Sequence, residues 1–143
     1  MGDKVGQCVG MIVRELDYES RDELFLVEYR LAEPVGLALP SGHINDGETP
    51  LSAGERILFN ETGLKMTAYQ QLFHGFIKSE SDCHEAHEWW IYRVDAIGRI
   101  VLRDPQKHKF IGYESIAVMK EYKELGEVDP TWFHHILPAL KII

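Results

Sequence analysis

The sequence predicts a single α+β domain, a mixed β-sheet sandwiched between helices. Three observations carry that prediction. The 143 residues suit one domain with a single core. Hydrophobic residues make up 45% and charged residues 27%, the balance of an ordinary globular chain rather than a disordered one. Apolar segments of strand length alternate with segments carrying helix caps, in the order strand, strand, helix, strands, helix, helix. No internal repeat, low-complexity tract or linker interrupts the span 1–143.

Residues 7–14, QCVGMIVR, are short, apolar and β-branched, which predicts a buried strand. Residues 23–30, ELFLVEYR, predict a second, with the polar DYESRD between them as a loop or hairpin. Residues 32–40 contain Pro34, Gly36 and Pro40 and are expected to be irregular. Thr49 suits a helix N-cap and Pro50 the first helical position, where its missing N–H costs nothing. That helix should run to about Thr62 and stop at Gly63, a natural left-handed C-cap. Residues 65–78 and 87–96 predict two long strands. They are rich in aromatics, Tyr69, Phe73 and Phe76, then Trp89, Trp90 and Tyr92, of which Tyr69, Phe73, Trp89, Trp90 and Tyr92 are expected mostly in the core. A short strand is expected over 99–103 and a helix over 114–124. Asp129-Pro130 repeats the cap-then-proline device and opens a last helix with Trp132, Ile136, Ala139 and Leu140 on one face. Pro138 should kink or end it.

The net charge of −8, with no basic patch, argues against binding a nucleic-acid backbone. No apolar run approaches the length of a membrane span, and MGDKVGQ does not resemble a secretion signal. Cys8 and Cys83 form no CxxC pair and fit a reducing cytoplasm. The expectation is therefore a cytoplasmic protein acting on a small molecule. A phosphorylated ligand would need local Arg or Lys, or a divalent cation.

The sequence has no P-loop, no dinucleotide-binding glycine fingerprint and no GxSxG motif. One stretch stands out, GHINDGETPLSAGERILFNETGL from Gly42 to Leu64. Gly42, Glu48, Arg56, Leu58, Glu61, Gly63 and Leu64 hold the spacing of a glycine, five residues, a glutamate, seven residues, then Arg-Glu and Glu-Glu-x-Gly at the end of a helix. Ile57 and Asn60 stand where that pattern has glutamates. The stretch resembles the Nudix box, the mark of hydrolases that cut nucleoside diphosphates linked to another group.

The resemblance implies a Nudix-type α/β/α sandwich and a catalytic set of Glu61, Arg56 and Glu48. It implies Mg2+ or Mn2+, held by Glu61 and the Gly42 carbonyl, with Asn60 offering a neutral amide oxygen. Glu48 and Arg56 would form an ion pair bracing the loop to the helix. It further implies a nucleotide substrate and, as is frequent in the family, a homodimer. Helical spacing places positions 57, 60 and 61 toward one side, so that face reads Ile57, Asn60, Glu61. Ile57 can neither ligate a metal nor orient water. Arg30, after the second strand, is a candidate phosphate contact. Asp104, Glu114, Glu80, Asp82, Glu85 and Glu88 are candidates for a further ligand or base. Cys83, His84, His87 and Glu88 include zinc-ligand types, but they lack a second ligand pair at the usual spacing and fit polar loop residues better. Two functions follow: a metal-dependent hydrolase of a phosphoanhydride bond, weakened by the two replacements, or a catalytically impaired Nudix-fold module that binds nucleotides or regulates.

Overall fold

The computed structural model describes residues 6–78 and 87–143. Its strands are β1 (Gln7–Leu16), β2 (Glu23–Arg30), β3 (Gly36–Ala38), β4 (Ser41–His43), β5 (Lys65–Ile77), β6 (His87–Ile97) and β7 (His108–Ser115). Its helices are α1 (Pro50–Thr62), α2 (Ile116–Glu124) and a C-terminal segment that is π-helical over Thr131–Ile136 and α-helical over Leu137–Ala139. The strands form one mixed sheet in the order β3-β2-β1-β6-β5, with β4 beside β1 and β7 beside β2. The β1–β6 pair is parallel and the others are antiparallel.

Strand periodicity divides the core into two layers. Successive residues of a strand face opposite sides. Val9, Met11 and Val13 of β1 therefore pack with Leu26, Ile44, Ala53, Ile57 and Leu58 on the α1 side. Cys8 and Ile12 pack with Phe25, Val27, Met119, Trp132 and Phe133 on the side of α2 and the C-terminal segment. Both faces of β1 are buried, which is why its sequence is an apolar run rather than an alternation.

The caps of α1 fall where the sequence places them. Thr49 Oγ1 accepts a hydrogen bond from the Ser52 N–H, and Ser52 Oγ accepts one from the Thr49 N–H. Gly63 sits at φ 80°, the left-handed conformation that ends the helix. Asp129 Oδ1 likewise accepts from the Thr131 and Trp132 N–H groups at 2.8 and 3.4 Å.

Four expectations need correction. Residues 99–103 form no strand, whereas β7 occupies a stretch with no strand signal and takes the first two residues of the expected 114–124 helix. β3 and β4 lie within or just beyond the stretch expected to be irregular, because two three-residue strands flanked by prolines leave no periodic signal. Tyr69 is exposed rather than buried, as is Phe76 beside it on β5, the outer strand of the sheet; Trp89 and Tyr92 on β6 are buried. In the C-terminal segment Ala139 is exposed, and Phe133 and Leu137 join Trp132 and Ile136 in the core. The wider π turn, with the Leu137 N–H bonded to the Trp132 carbonyl, rotates the buried face away from α-helical spacing just before Pro138.

Trp132 is fully buried, and its indole N–H donates to Ser41 Oγ at 3.1 Å, tying the C-terminal segment to β4. In urea unfolding, Trp132→Ala should cost about 3–5 kcal/mol, whereas loss of the α1 cap in Thr49→Ala should cost about 1 kcal/mol.

Candidate functional site

The box segment is built around Arg56. Its Nε donates to Glu48 Oε2 at 2.6 Å, and its Nη2 donates to Glu48 Oε1 and to the His43 carbonyl, each at 3.0 Å. Glu48 Oε1 also accepts the Asn45 N–H at 2.9 Å. This forked contact fastens β4, the following loop and α1 to one another. Arg56 hydrogen bonding holds the Glu48 carboxyl below its ordinary range.

The α1 face turned to the sheet carries Ala53, Gly54, Ile57, Leu58 and Thr62. Ile57 is 5% exposed, and its Cδ1 would lie 2.9 Å from a Cβ at Gly42, so Gly42 leaves the room that Ile57 fills. Asn60 is exposed, while Glu61 is only partly so. The expected common face of 57, 60 and 61 is thus divided. One residue is a turn of about 100°, enough to put Asn60 on the solvent side while Glu61 reaches inward.

Glu61 meets two residues from outside the box, Glu28 and His108. Ligand atoms of Glu28, Glu61 and His108 all lie within 4.8 Å of one another. Glu28 comes from β2. Phe25, Val27 and Tyr29 face α2 and the C-terminal segment, so Leu26 and Glu28 face α1. His108 comes from β7, and it reaches this face through an irregularity. Tyr29 pairs with Phe110 and Arg30 with His108, which leaves Lys109 as an extra residue. Lys109 and Phe110 both contact the Tyr29 ring on the opposite face, so His108 emerges beside Glu28. Its Nε2 lies 3.2 Å from Glu28 Oε2.

The cluster is deeply placed. Glu28 is 1% exposed and His108 6%. Burial raises the Glu28 carboxyl, against the hydrogen bond from Glu61 and the charge of Arg30. Burial pushes Glu61 up to about 9, and the Glu28 charge and hydrogen bond add to the rise. Burial also lowers the His108 imidazole, opposed by the Glu61 charge. Near neutral pH this describes a protonated Glu61 beside Glu28 and a neutral imidazole. Glu28 Oε1, Glu61 Oε1 and His108 Nδ1 are buried with no partner from outside the cluster. Two carboxylates and an imidazole at this spacing fit a divalent cation, which would replace the proton.

The other expected residues lie nearby or elsewhere. Arg30 Nη1 is 3.8 Å from Asp129 Oδ2, and its charge acts on Glu28 and Glu61. Asp104 accepts the Gln106 N–H in the turn before β7, and its charge acts on His108. Glu114 lies on β7. Glu88 is on β6, beside Gln7 and His74. Glu80, Asp82, Cys83, His84 and Glu85 fall outside the described residues. Glu28 had a signal in the sequence, a carboxylate inside an apolar strand; His108 had none while β7 was hidden.

The NUDIX domain profile matches residues 6–136. The chain belongs to the Nudix family. No curated protein matches it significantly. Among solved structures it is similar to the NUDIX domain of Shewanella oneidensis NrtR, a complex with ADP ribose. That likeness has a TM-score of 0.72 and 13% identity, over 96% of this chain and 88% of that one. A Nudix hydrolase from Nitrosomonas europaea gives a TM-score of 0.68 at 14% identity, over 83% and 78% of the two chains. A Caenorhabditis elegans Ap4A hydrolase gives 0.58 at 17%, over 83% and 89%. At these identities the shared property is the fold. Among the described residues, no helix is long and apolar enough to cross a membrane.

The Glu61 environment sets a pH dependence. In metal-free buffer, folded Glu61 keeps a proton up to about pH 9 that the unfolded chain loses near 4.5. Its contribution to stability is complete below about pH 4.5 and lost as pH rises through about 9. His108, whose folded value is depressed, contributes with the opposite sign and only below its ordinary 6.5. Urea unfolding between about pH 7 and 9 should therefore show stability falling as pH rises, with a shallower slope in Glu61→Gln.

Proposed function

We propose that this Nudix protein is a hydrolase that cleaves a phosphoanhydride bond of a nucleoside diphosphate derivative with the help of a divalent cation. The observation carrying this reading is the meeting of Glu61 with Glu28 and His108 at a spacing suited to a cation, beside an intact Glu48–Arg56 brace. A divalent cation supplies charge neutralisation of the pyrophosphate and a more acidic bound water. Glu61 supplies a ligand to it, with Glu28 and His108 beside it rather than the Gly42 carbonyl and Asn60 of the family pattern. Glu48 and Arg56 are positioning residues that keep α1 and the Gly42 strand in register. Arg30, which lies 3.8 Å from Asp129, would contact a substrate phosphate. The choice of substrate class draws support from ADP ribose in the NrtR complex and from the Ap4A named for the hydrolase, two molecules that both contain adenosine joined through a phosphoanhydride.

One observation favours a second reading, a nucleotide-binding or regulatory module with little turnover. Ile57 is a core residue against Gly42 and Asn60 faces solvent, so two glutamate positions of the box have been given to packing and surface.

Phosphate release from nucleoside triphosphates, ADP-ribose, sugar nucleotides and dinucleoside polyphosphates, with and without Mg2+ or Mn2+, separates the two. The hydrolase should show cation-dependent turnover on a member of this panel, reduced at least about a hundredfold in Glu61→Gln. Folded protein that binds a panel member without turning it over would instead establish the binding module.

A further inference from the structure

We propose that Glu28, Glu61 and His108 form a metal site that selects a first-row transition-metal dication over Mg2+, with ligands from β2 and β7 standing in for the two missing box glutamates. The proposal rests on the reading of this face as cation-using, but not on turnover.

Geometry carries it first. Metal–ligand bonds of about 2.1 Å put neighbouring ligands about 3.0 Å apart and opposed ligands about 4.2 Å apart. The three side chains already lie within 4.8 Å of one another, so closure around an ion needs movement of less than about an ångström. The three come from separate elements, two sheet strands and the box helix. A rigid sheet therefore presents two ligands, and the helix supplies the third.

Burial is the second, independent observation. Glu28 is 1% exposed, yet its Oε1 has no partner outside the cluster. Buried polar atoms are seldom left this way, because each forfeits its hydration. His108 Nε2 beside Glu28 Oε2 satisfies one atom of each residue and leaves the other. Glu61 is partly exposed and forms the edge through which an ion could enter.

The donor set decides the class of ion. Mg2+ binds oxygen ligands and keeps much of its water. Two carboxylates and an imidazole instead suit Mn2+, Fe2+ or Zn2+, with Zn2+ bound more tightly than Mn2+. The two carboxylate charges balance a dication, and the Arg30 charge favours their ionised forms. This departs from the family pattern, in which carboxylates of the box helix and a backbone carbonyl hold Mg2+.

Titration of metal-stripped protein with Mn2+, followed by electron paramagnetic resonance without nucleotide, tests the site. Wild type should bind one Mn2+ per chain, displaced by Zn2+ but not by equal Mg2+. Glu28→Gln and His108→Gln should each weaken Mn2+ binding at least about tenfold, while Glu55→Gln on the exposed side of α1 leaves it unchanged. Circular dichroism establishes that each variant is folded, and the near-isosteric Glu28→Gln keeps the core volume. Unchanged Mn2+ affinity in folded Glu28→Gln and His108→Gln would overturn the proposal, as would wild-type protein that binds no Mn2+ or prefers Mg2+. The fate of the hydrolase reading is separate. Mn2+ bound at the cluster without turnover would leave the site standing and the hydrolase refuted. Mg2+-dependent turnover indifferent to Glu28→Gln and His108→Gln would do the reverse.

Discussion

Arg56 is the fastening on which the site depends. Its guanidinium joins Glu48 and the His43 carbonyl, so the position of α1 against β4 is set by three charge-assisted hydrogen bonds rather than by packing alone. With that position fixed, Ile57 lies over Gly42, and Glu61 reaches the sheet one helical turn later. A sliding of α1 by one residue would turn Glu61 about 100° away from Glu28 and bring a different side chain inward. The brace is therefore needed in either functional reading, because it places the helix whether or not catalysis follows.

The opposing constraint is the cost of Glu28. A carboxylate in the interior forfeits hydration, and it normally persists only when paired or ligated. Here it is offset in part by His108 and by a proton shared with Glu61. A leucine at 28 would extend the apolar layer of Leu26 and Ile57 without such a cost. Local rules broken at one buried position, next to a second carboxyl and an imidazole, are the expected mark of a functional site. The irregularity at Lys109 belongs to the same arrangement, since it delivers His108 to the face that holds Glu28.

Elements with local signals were legible in the sequence. β1 and β2 announce themselves as apolar runs, β5 and β6 by their aromatics, and α1 by Thr49, Pro50 and Gly63. β7 was not, because Gly112 and its mixed polar residues carry no alternation, and its existence depends on pairing with β2. The buried face of the C-terminal segment was misplaced at Ala139 because a π turn has another period. The box revealed the family and the Glu48–Arg56 pair. Ile57 and Asn60 could be recognised as lost carboxylates, but not as one core residue and one surface residue. Glu28 and His108 lie outside the box, and only the three-dimensional register brings them to Glu61.

The most direct test of this account is a crystal structure of the Mn2+-soaked protein with diffraction recorded on both sides of the manganese absorption edge. The account requires an anomalous peak bonded to Glu28, Glu61 and His108. A peak instead at the Gly42 carbonyl and Asn60, with Glu28 left paired to His108, would contradict it and return the metal to the family's usual place.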